Sequence, residues 1–218
     1  MRRIGMAVLG LALVATPGYG QRSALREVRD GGSFGVNFVV AQPLGEFRRN
    51  GDVAAGIAVF GVTSGSALAL RVDGSWMAYD AQYQGYGVST LSQIGTIAAG
   101  PQLTLGQGPL RFYGFATIGG SLFWSSASYG GCGCSGDSFL DGHFTTTTSA
   151  GAGVLIGLSR GRTPIAIDFG ARAVRHDRVT YVPAGGLTQN SDGSFTATQV
   201  RTPVDMRVYQ VGVSIGIR

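Results

Sequence analysis

Lysine is absent from this chain of 218 residues, and the 17 arginines that supply its basic charge are scattered along it. A protein that binds nucleic acid would concentrate its basic residues on one face, so this distribution argues against that class. The glycine-rich stretches lack the lysine that follows a phosphate-binding loop, and no strand–loop–helix pattern surrounds them. These absences exclude a nucleotide-binding loop.

Charged residues and long apolar runs are also scarce. Charged residues make up 13% of the chain, glycine accounts for 37 residues, and the mean hydropathy is positive. Beyond residue 20, no segment approaches the roughly 20 apolar residues that a membrane-spanning helix requires. Backbone donors and acceptors in lipid must be paired internally, so only helices and closed barrels cross a membrane. An apolar chain of this kind is compatible with a membrane barrel.

The first 20 residues have the layout of a secretory signal peptide. Arg2 and Arg3 form a basic start, and residues 4–15 form an apolar run. The run is too short for a permanent membrane helix, which needs roughly 20 apolar residues. We therefore expect residues 1–20 to be removed and residues 21–218 to form one exported domain. Loss of the two arginines lowers the net charge from +5 to +3.

Apolar residues beyond residue 32 recur with a period of two, which is typical of β-strands. In the last segment, one face carries only apolar residues: Tyr209, Val211, Val213, Ile215 and Ile217. The pattern predicts eight strands, within residues 34–42, 53–62, 67–79, 91–105, 110–124, 148–158, 165–175 and 204–217. The second segment is apolar on both faces, so its orientation is undecided. Pro101 would remove a ladder hydrogen bond from the fourth, which predicts a bulge there.

The connections between these segments alternate between short and long. Short connections cover residues 63–66, 106–108 and 159–162, and longer ones cover residues 43–52, 80–90, 125–147 and 182–203. Outer-membrane barrels have short periplasmic turns and longer external loops. An even number of strands also leaves both termini on the periplasmic side. The sequence therefore predicts an eight-stranded antiparallel up-and-down transmembrane β-barrel with four external loops.

The polar face of each predicted strand indicates what lines the lumen. A membrane barrel turns its apolar residues outward and its polar residues inward. Charged residues share the inward face with glycine, serine and threonine: Arg71, Asp73, Asp168 and Arg172. An eight-stranded barrel is just wide enough for side chains to fill it, and buried charges must be paired. We therefore expect these four residues to form charge pairs between neighbouring strands.

The closing strand and the opening segment GVNFVVAQPLGEF, residues 35–47, resemble the small outer-membrane β-barrels of the OmpA and OmpX type. The resemblance covers residues 21–218. It implies a barrel in the outer membrane of a Gram-negative-type bacterium, in contact with its lipids and lipopolysaccharide and with the outer-membrane assembly machinery. Such barrels usually end on an aromatic residue that this machinery reads, whereas this chain ends Ile217-Arg218.

Four outward residues are predicted near the external ends of their strands. Trp76 and Trp124 are expected in an interfacial aromatic girdle. Arg175 and Arg207 have the same outward parity. An arginine on the outward face of a membrane barrel costs little free energy when it lies at headgroup level. Two interpretations stay open for this pair. The arginines contact lipopolysaccharide phosphates, or they are solvated rim residues.

Cys132 and Cys134 lie in the third long connection. An exported compartment favours a disulfide, although cysteines two residues apart bridge only with strain. Free or intermolecular thiols are an alternative, and so is a metal site. His143 is the nearest further ligand, and no zinc-binding spacing accompanies it. We expect no metal and no cofactor.

Three functions compete. The first is a structural or surface-interaction barrel with a filled lumen and an external partner that the sequence does not identify. The second is a narrow pore or transporter for small or hydrophobic solutes, and the third is a lipid-modifying enzyme. A barrel hydrolase would need a serine held against a histidine. No signature surrounds His143 or His176, which we interpret as solvated loop and rim residues, so we expect no enzyme and favour the first function.

Overall fold

The computed structural model describes residues 32–49, 51–63, 67–83, 88–106, 108–131, 134–159, 163–181, 187–191 and 195–217. The predicted signal peptide, residues 1–20, lies outside these ranges. Within them, no helix has the length and apolarity needed to cross a membrane.

Ten β-strands and one 3-10 helix make up the described chain. The strands are β1 (Ser33–Leu44), β2 (Ala54–Val62), β3 (Leu68–Tyr83), β4 (Val88–Leu105), β5 (Leu110–Gly131), β6 (Cys134–Gly157), β7 (Ile165–Tyr181), β8 (Leu187–Gln189), β9 (Phe195–Ala197) and β10 (Val200–Gly216). The 3-10 helix, Phe47–Arg49, lies between β1 and β2.

Eight strands close into an antiparallel barrel in the order β1-β10-β7-β6-β5-β4-β3-β2. Strands β8 and β9 form a separate two-stranded sheet within the connection between β7 and β10. The predicted eight-stranded up-and-down barrel is therefore confirmed. Ser33 pairs with Gly216 where β1 meets β10, so both ends of the described chain lie at one end of the barrel. We call this the terminal end and the opposite one the loop end.

The lengths of two predicted loops were wrong. Residues 80–90 and 125–147 were expected to be connections, yet β3 runs to Tyr83, β5 runs to Gly131 and β6 begins at Cys134. These strand extensions are rich in serine, glycine and threonine. Period-2 alternation depends on a contrast between lipid and lumen, so strands that extend beyond an apolar belt lose that signal.

Pro101 does not create the expected bulge. The β3–β4 register continues through Leu70 and Pro101, and the β4–β5 ladder omits Gly100 and Pro101 but resumes in the same register at Gln102. A Cβ on Gly100 would lie 2.0 Å from the carbonyl oxygen of Ala116. Glycine therefore allows β5 to pass close by, and the ladder is interrupted without a shift. Register shifts occur instead at Tyr79/Gln82, Ser125/Ser126 and Pro203/Val204.

The inward and outward faces follow the predicted parity. Val36 and Phe38 of β1 are exposed, whereas Asn37 and Val39 are buried in the interior. The orientation of β2, undecided from the sequence, is now defined, because Phe60 is buried and Ile57 is exposed.

The interior has two parts along the barrel axis. Toward the loop end, buried apolar side chains form one cluster that includes Phe47, Met77, Tyr79, Phe123 and Tyr181. Toward the terminal end lie the buried charged side chains, together with a second, smaller apolar cluster of Tyr113, Phe115, Leu155 and Ala166. The candidate site is built from this polar part and from the loop-end rim.

Candidate functional site

Arg71 and Asp73 form an ion pair in the polar part of the lumen. Both lie on the inward face of β3, two residues apart, where side chains of a strand project the same way. Arg71 Nε donates to both carboxylate oxygens at 2.9 Å, and the closest N–O distance is 2.8 Å. The pair therefore lies within one strand, not between neighbouring strands as the sequence interpretation had it.

Three further side chains surround the Arg71 guanidinium. Gln102 of β4 accepts a hydrogen bond from it at 2.9 Å. The rings of Phe60 and Phe115 lie on it with centroids 4.1 and 4.4 Å from Cζ. Aromatic faces attract a guanidinium at such distances. Arg71 is thus both charge-paired and enclosed, with 1% of its surface exposed.

Arg172 of β7 is buried but weakly compensated. Its guanidinium lies 3.9 Å from Oδ1 of Asp73, the same oxygen that Arg71 contacts. Within the described chain its Nε has no hydrogen-bond partner. A Cβ on Gly151 of β6 would lie 2.6 Å from the Arg172 Cβ, so glycine makes room for this side chain.

Asp168 lies in the lumen but does not pair with Arg172. Four residues along one strand separate them by about 13 Å at roughly 3.3 Å per residue, and Asp168 forms no ion pair within the described ranges. It accepts hydrogen bonds instead from Tyr113 at 2.6 Å, from Asn37 at 2.9 Å and from Gln210 at 3.0 Å. Neutral donors from three other strands therefore satisfy this carboxylate.

Tyr113 is a site residue that the sequence interpretation did not identify. A Cβ on Gly153 or Gly170 would lie 2.4 or 2.6 Å from its hydroxyl oxygen, so only glycines there let the side chain reach Asp168. The signal was available in part, because Tyr113 has the inward parity of β5. Its glycine neighbours come from β6 and β7, and their facing register was not predicted.

Phe47 packs inside the barrel toward the loop end. Gly45, with φ of 59°, turns the chain into the 3-10 helix, whose first residue points inward and is 1% exposed. The Phe47 ring packs edge-on against Tyr79 and Tyr181, with both centroid distances 5.6 Å. No pattern in the sequence distinguished Phe47 from other loop residues.

His176 is buried, so its interpretation as a solvated rim residue was wrong. Its Nδ1 lies 2.8 Å from the carbonyl oxygen of Val204 and its Nε2 lies 3.1 Å from Oγ of Ser121. A carbonyl can only accept, so Nδ1 carries the proton and Ser121 donates to Nε2. Ser121 has no exposed surface. The two residue types of a nucleophile–base pair are present, and both are buried.

The remaining predicted positions lie at the rim or outside the described ranges. Arg175 and Arg207 are exposed on the outward faces of β7 and β10. Cys134 begins β6, whereas Cys132 is not described, so the disulfide prediction stays open. Among the described residues, no three His, Cys, Asp or Glu side chains form a group that could hold a metal ion.

No protein-family model and no curated protein matches the chain. Several solved structures are similar to it. Neisserial surface protein A is 14% identical, over 86% of this chain and 96% of its own, with a TM-score of 0.43. Ail, the attachment invasion locus protein of Yersinia pestis, is 11% identical over 86% and 97%, with a TM-score of 0.46. A major outer membrane protein from Thermus thermophilus is 10% identical over 84% and 98%, with a TM-score of 0.46.

At these identities the likeness concerns the fold alone. The strand order shows independently that eight antiparallel strands close into an up-and-down barrel. This is the architecture that the resemblance in the sequence implied.

Proposed function

We propose that the chain is an integral outer-membrane β-barrel protein whose lumen is filled by side chains and whose role is structural or surface-interacting. In this proposal the terminal end faces the periplasm and the connections at the loop end face outward. One observation supports it above all: from the terminal end up to Arg175 and Arg207, the outward face is apolar and the charges lie on the inward face.

The outward face of β10 illustrates the first half of that observation. Tyr209, Val211, Val213 and Ile215 are each 39–46% exposed, and neighbouring strands present similar residues. Monomeric soluble proteins rarely expose contiguous apolar patches larger than a few hundred Å². Lipid is the solvent that such a surface fits. Nine residues from 209 to 217, at about 3.3 Å each and a tilt near 40°, span roughly 23 Å, close to the height of a barrel's apolar band.

The interior supports a filled lumen. Arg71, Asp73 and Asp168 are 0–3% exposed and engage one another or neutral side chains, and Phe47 covers the opening above them. A barrel closed in this way favours a scaffold for external segments over a solute path. Recognition by the assembly machinery would involve β10, followed by the outward Ile217, which is 59% exposed.

Membrane fractionation tests the proposal. The chain should sediment with outer membranes and migrate faster on gels before boiling than after, because a closed barrel resists detergent until heated. A matched chain lacking residues 200–217 cannot close the barrel and should lose the faster band. Release of the intact protein by osmotic shock, as a soluble periplasmic species, would contradict the proposal.

A further inference from the structure

The apolar outward surface ends abruptly on two adjacent strands, β10 and β7. Ile165, Phe169 and Ala173 face outward along β7, and Arg175 is the next outward residue. On β10 the outward apolar run ends at Tyr209, and Arg207 follows. In both strands an arginine occupies the first outward position beyond the apolar surface.

The position of these arginines along the axis can be estimated from the strands. Arg175 lies ten residues from Ile165, at the terminal end of β7. At about 3.3 Å per residue and a tilt of 35–45°, ten residues rise roughly 25 Å, which is the usual height of the apolar band of a membrane barrel. Arg207, nine residues before Gly216, lies at a similar height. In the membrane orientation proposed above, both arginines therefore stand at the level of the outer headgroups.

The register places polar groups beside both arginines. Arg175 is opposite Thr148 on one side and Asp205 on the other. Arg207 is opposite Gln42 of β1. We call these five residues the rim arc: Gln42, Thr148, Arg175, Asp205 and Arg207. Its formal charge is +1, and within the described chain no carboxylate lies within 4.0 Å of either arginine, since the ion pairs there involve only Arg71 and Arg172.

More arginines lie beyond the rim arc on the same side of the barrel. Arg178 and Arg201 are exposed on β7 and β10. Arg48 and Arg49 are exposed on the 3-10 helix, which contacts β1 and β10. Among the described side chains, the outward faces of β2 to β6 have no charged residue toward the loop end, and Trp76 and Trp124 occupy the corresponding surface. The exposed arginines of the loop end therefore lie on one side of the barrel, together with Asp177 of β7, and the two tryptophans lie on the other side.

We propose that the rim arc binds the phosphate groups of lipopolysaccharide in the outer leaflet, with Arg175 and Arg207 as the two principal contacts. The proposal rests on the outer-membrane location proposed above. A guanidinium binds phosphate through two parallel hydrogen bonds in a planar fork. Thr148 and Gln42 supply further polar groups on either side, and Asp205 limits the arc to one net positive charge.

The test uses the full-length barrel folded in a neutral detergent. Purified protein is mixed with micelles that contain lipopolysaccharide with phosphorylated lipid A, and lipid retained through size-exclusion chromatography is measured. The wild type should retain it, and R175Q/R207Q should bind at least about tenfold more weakly because two sets of charge-assisted hydrogen bonds are lost. Arg111→Gln, which removes one positive charge at the terminal end, should retain as much lipid as the wild type.

Two further lipids identify the phosphate source. Enzymatically dephosphorylated lipopolysaccharide and phosphatidylglycerol should both be retained poorly by the wild type. Equal retention of phosphatidylglycerol would overturn the assignment to lipopolysaccharide and indicate general attraction of anionic lipid. Unchanged retention by the folded double variant, verified by its heat-dependent migration, would overturn the rim arc itself. Outer-membrane fractionation of the wild type is scored separately, so failure here leaves the proposed function standing.

Discussion

Two buried arginines share the Asp73 carboxylate, but their surroundings differ. Arg71 donates to it at 2.9 Å and also contacts Gln102 and two aromatic rings. Arg172 lies 3.9 Å from it. Burial of a charge costs free energy that only close partners offset, so the two arginines should contribute oppositely to stability.

Methionine substitutions test this difference. Arg71→Met leaves Asp73 buried with one distant partner and should lower the free energy of unfolding by about 3–5 kcal/mol. Arg172→Met removes a poorly compensated charge and keeps the Arg71–Asp73 pair, so stability should be unchanged or rise by about 1–4 kcal/mol. Urea unfolding in lipid vesicles, followed by gel mobility, measures both. Equal losses in the two variants would contradict the geometry.

The hydrogen bonds of Asp168 give a second prediction. Asp168→Ala leaves the buried donors of Tyr113 and Asn37 without their acceptor, each at a cost of about 1–3 kcal/mol, whereas Gln210 still donates to the Tyr113 hydroxyl. The loss should therefore be about 2 kcal/mol or more. Tyr113→Phe removes one donor, keeps the ring and should cost about 1.5–3 kcal/mol. In the double variant the losses should be smaller than their sum, because the two groups contact each other.

The same urea titration checks the Asp168 network, with Arg175→Ala on the outward face as a control that should shift the midpoint little. Additive losses for Asp168→Ala and Tyr113→Phe would show that the carboxylate and the hydroxyl do not interact. An unchanged midpoint for Asp168→Ala would place that residue outside the packed lumen.

For single residues, the sequence predicted which side chains face inward, but it did not predict which side chains contact one another. Alternation along β7 indicates that Asp168 and Arg172 face inward, and both are buried. Which side chains meet across the lumen depends on the stagger between strands, which a single sequence does not contain. Tyr113 and Asp168, 55 positions apart, meet only because β5 and β7 have a particular register.

Among the elements, the 3-10 helix packs one residue, Phe47, into the barrel mouth between Tyr79 and Tyr181. Phe47→Ala would leave a cavity between Tyr79 and Tyr181 and should cost about 3–5 kcal/mol, as for other buried phenylalanines. Arg48, the next residue of the same helix, is exposed. Arg48→Ala should therefore change the free energy of unfolding by less than about 0.5 kcal/mol. Urea midpoints of the two variants measure the contrast. Equal midpoints would mean that the ring does not pack in the barrel mouth.

The strands themselves were largely predictable where one face is apolar and exposed and the other face lines the lumen. β10 alternates without exception from Tyr209 to Ile217, so its faces were evident. The loop-end parts of β5 and β6 were not predictable, because the apolar residues of the segment from Ser125 to Gly131 do not form one continuous face. Backbone hydrogen bonds to a neighbouring strand hold those segments extended. Because these bonds do not depend on residue type, the amino-acid composition does not reveal them.

For the whole molecule, the packing of the interior predicts that the barrel does not conduct ions. If the lumen is filled as proposed above, planar bilayers containing the wild type should show no steady conductance, because Phe47 packs inside the barrel toward the loop end and the Arg71–Asp73 pair lies below it. Phe47→Ala should also stay silent, since the second closure persists. A steady, ohmic conductance of the wild type would support the narrow pore instead. Empty bilayers and heat-unfolded protein serve as controls.

The seam between β1 and β10 has a consequence for how the barrel is made. β1 pairs with β10 along its whole length, from Ser33 to Leu44, so the final seam joins strands separated by almost the entire described chain. Contacts between such distant segments make folding slow. Until β10 arrives, the sheet has two unpaired edges, which are templates for pairing with other chains. The interval between emergence of the first strand and docking of the last is therefore when this protein is most prone to aggregate.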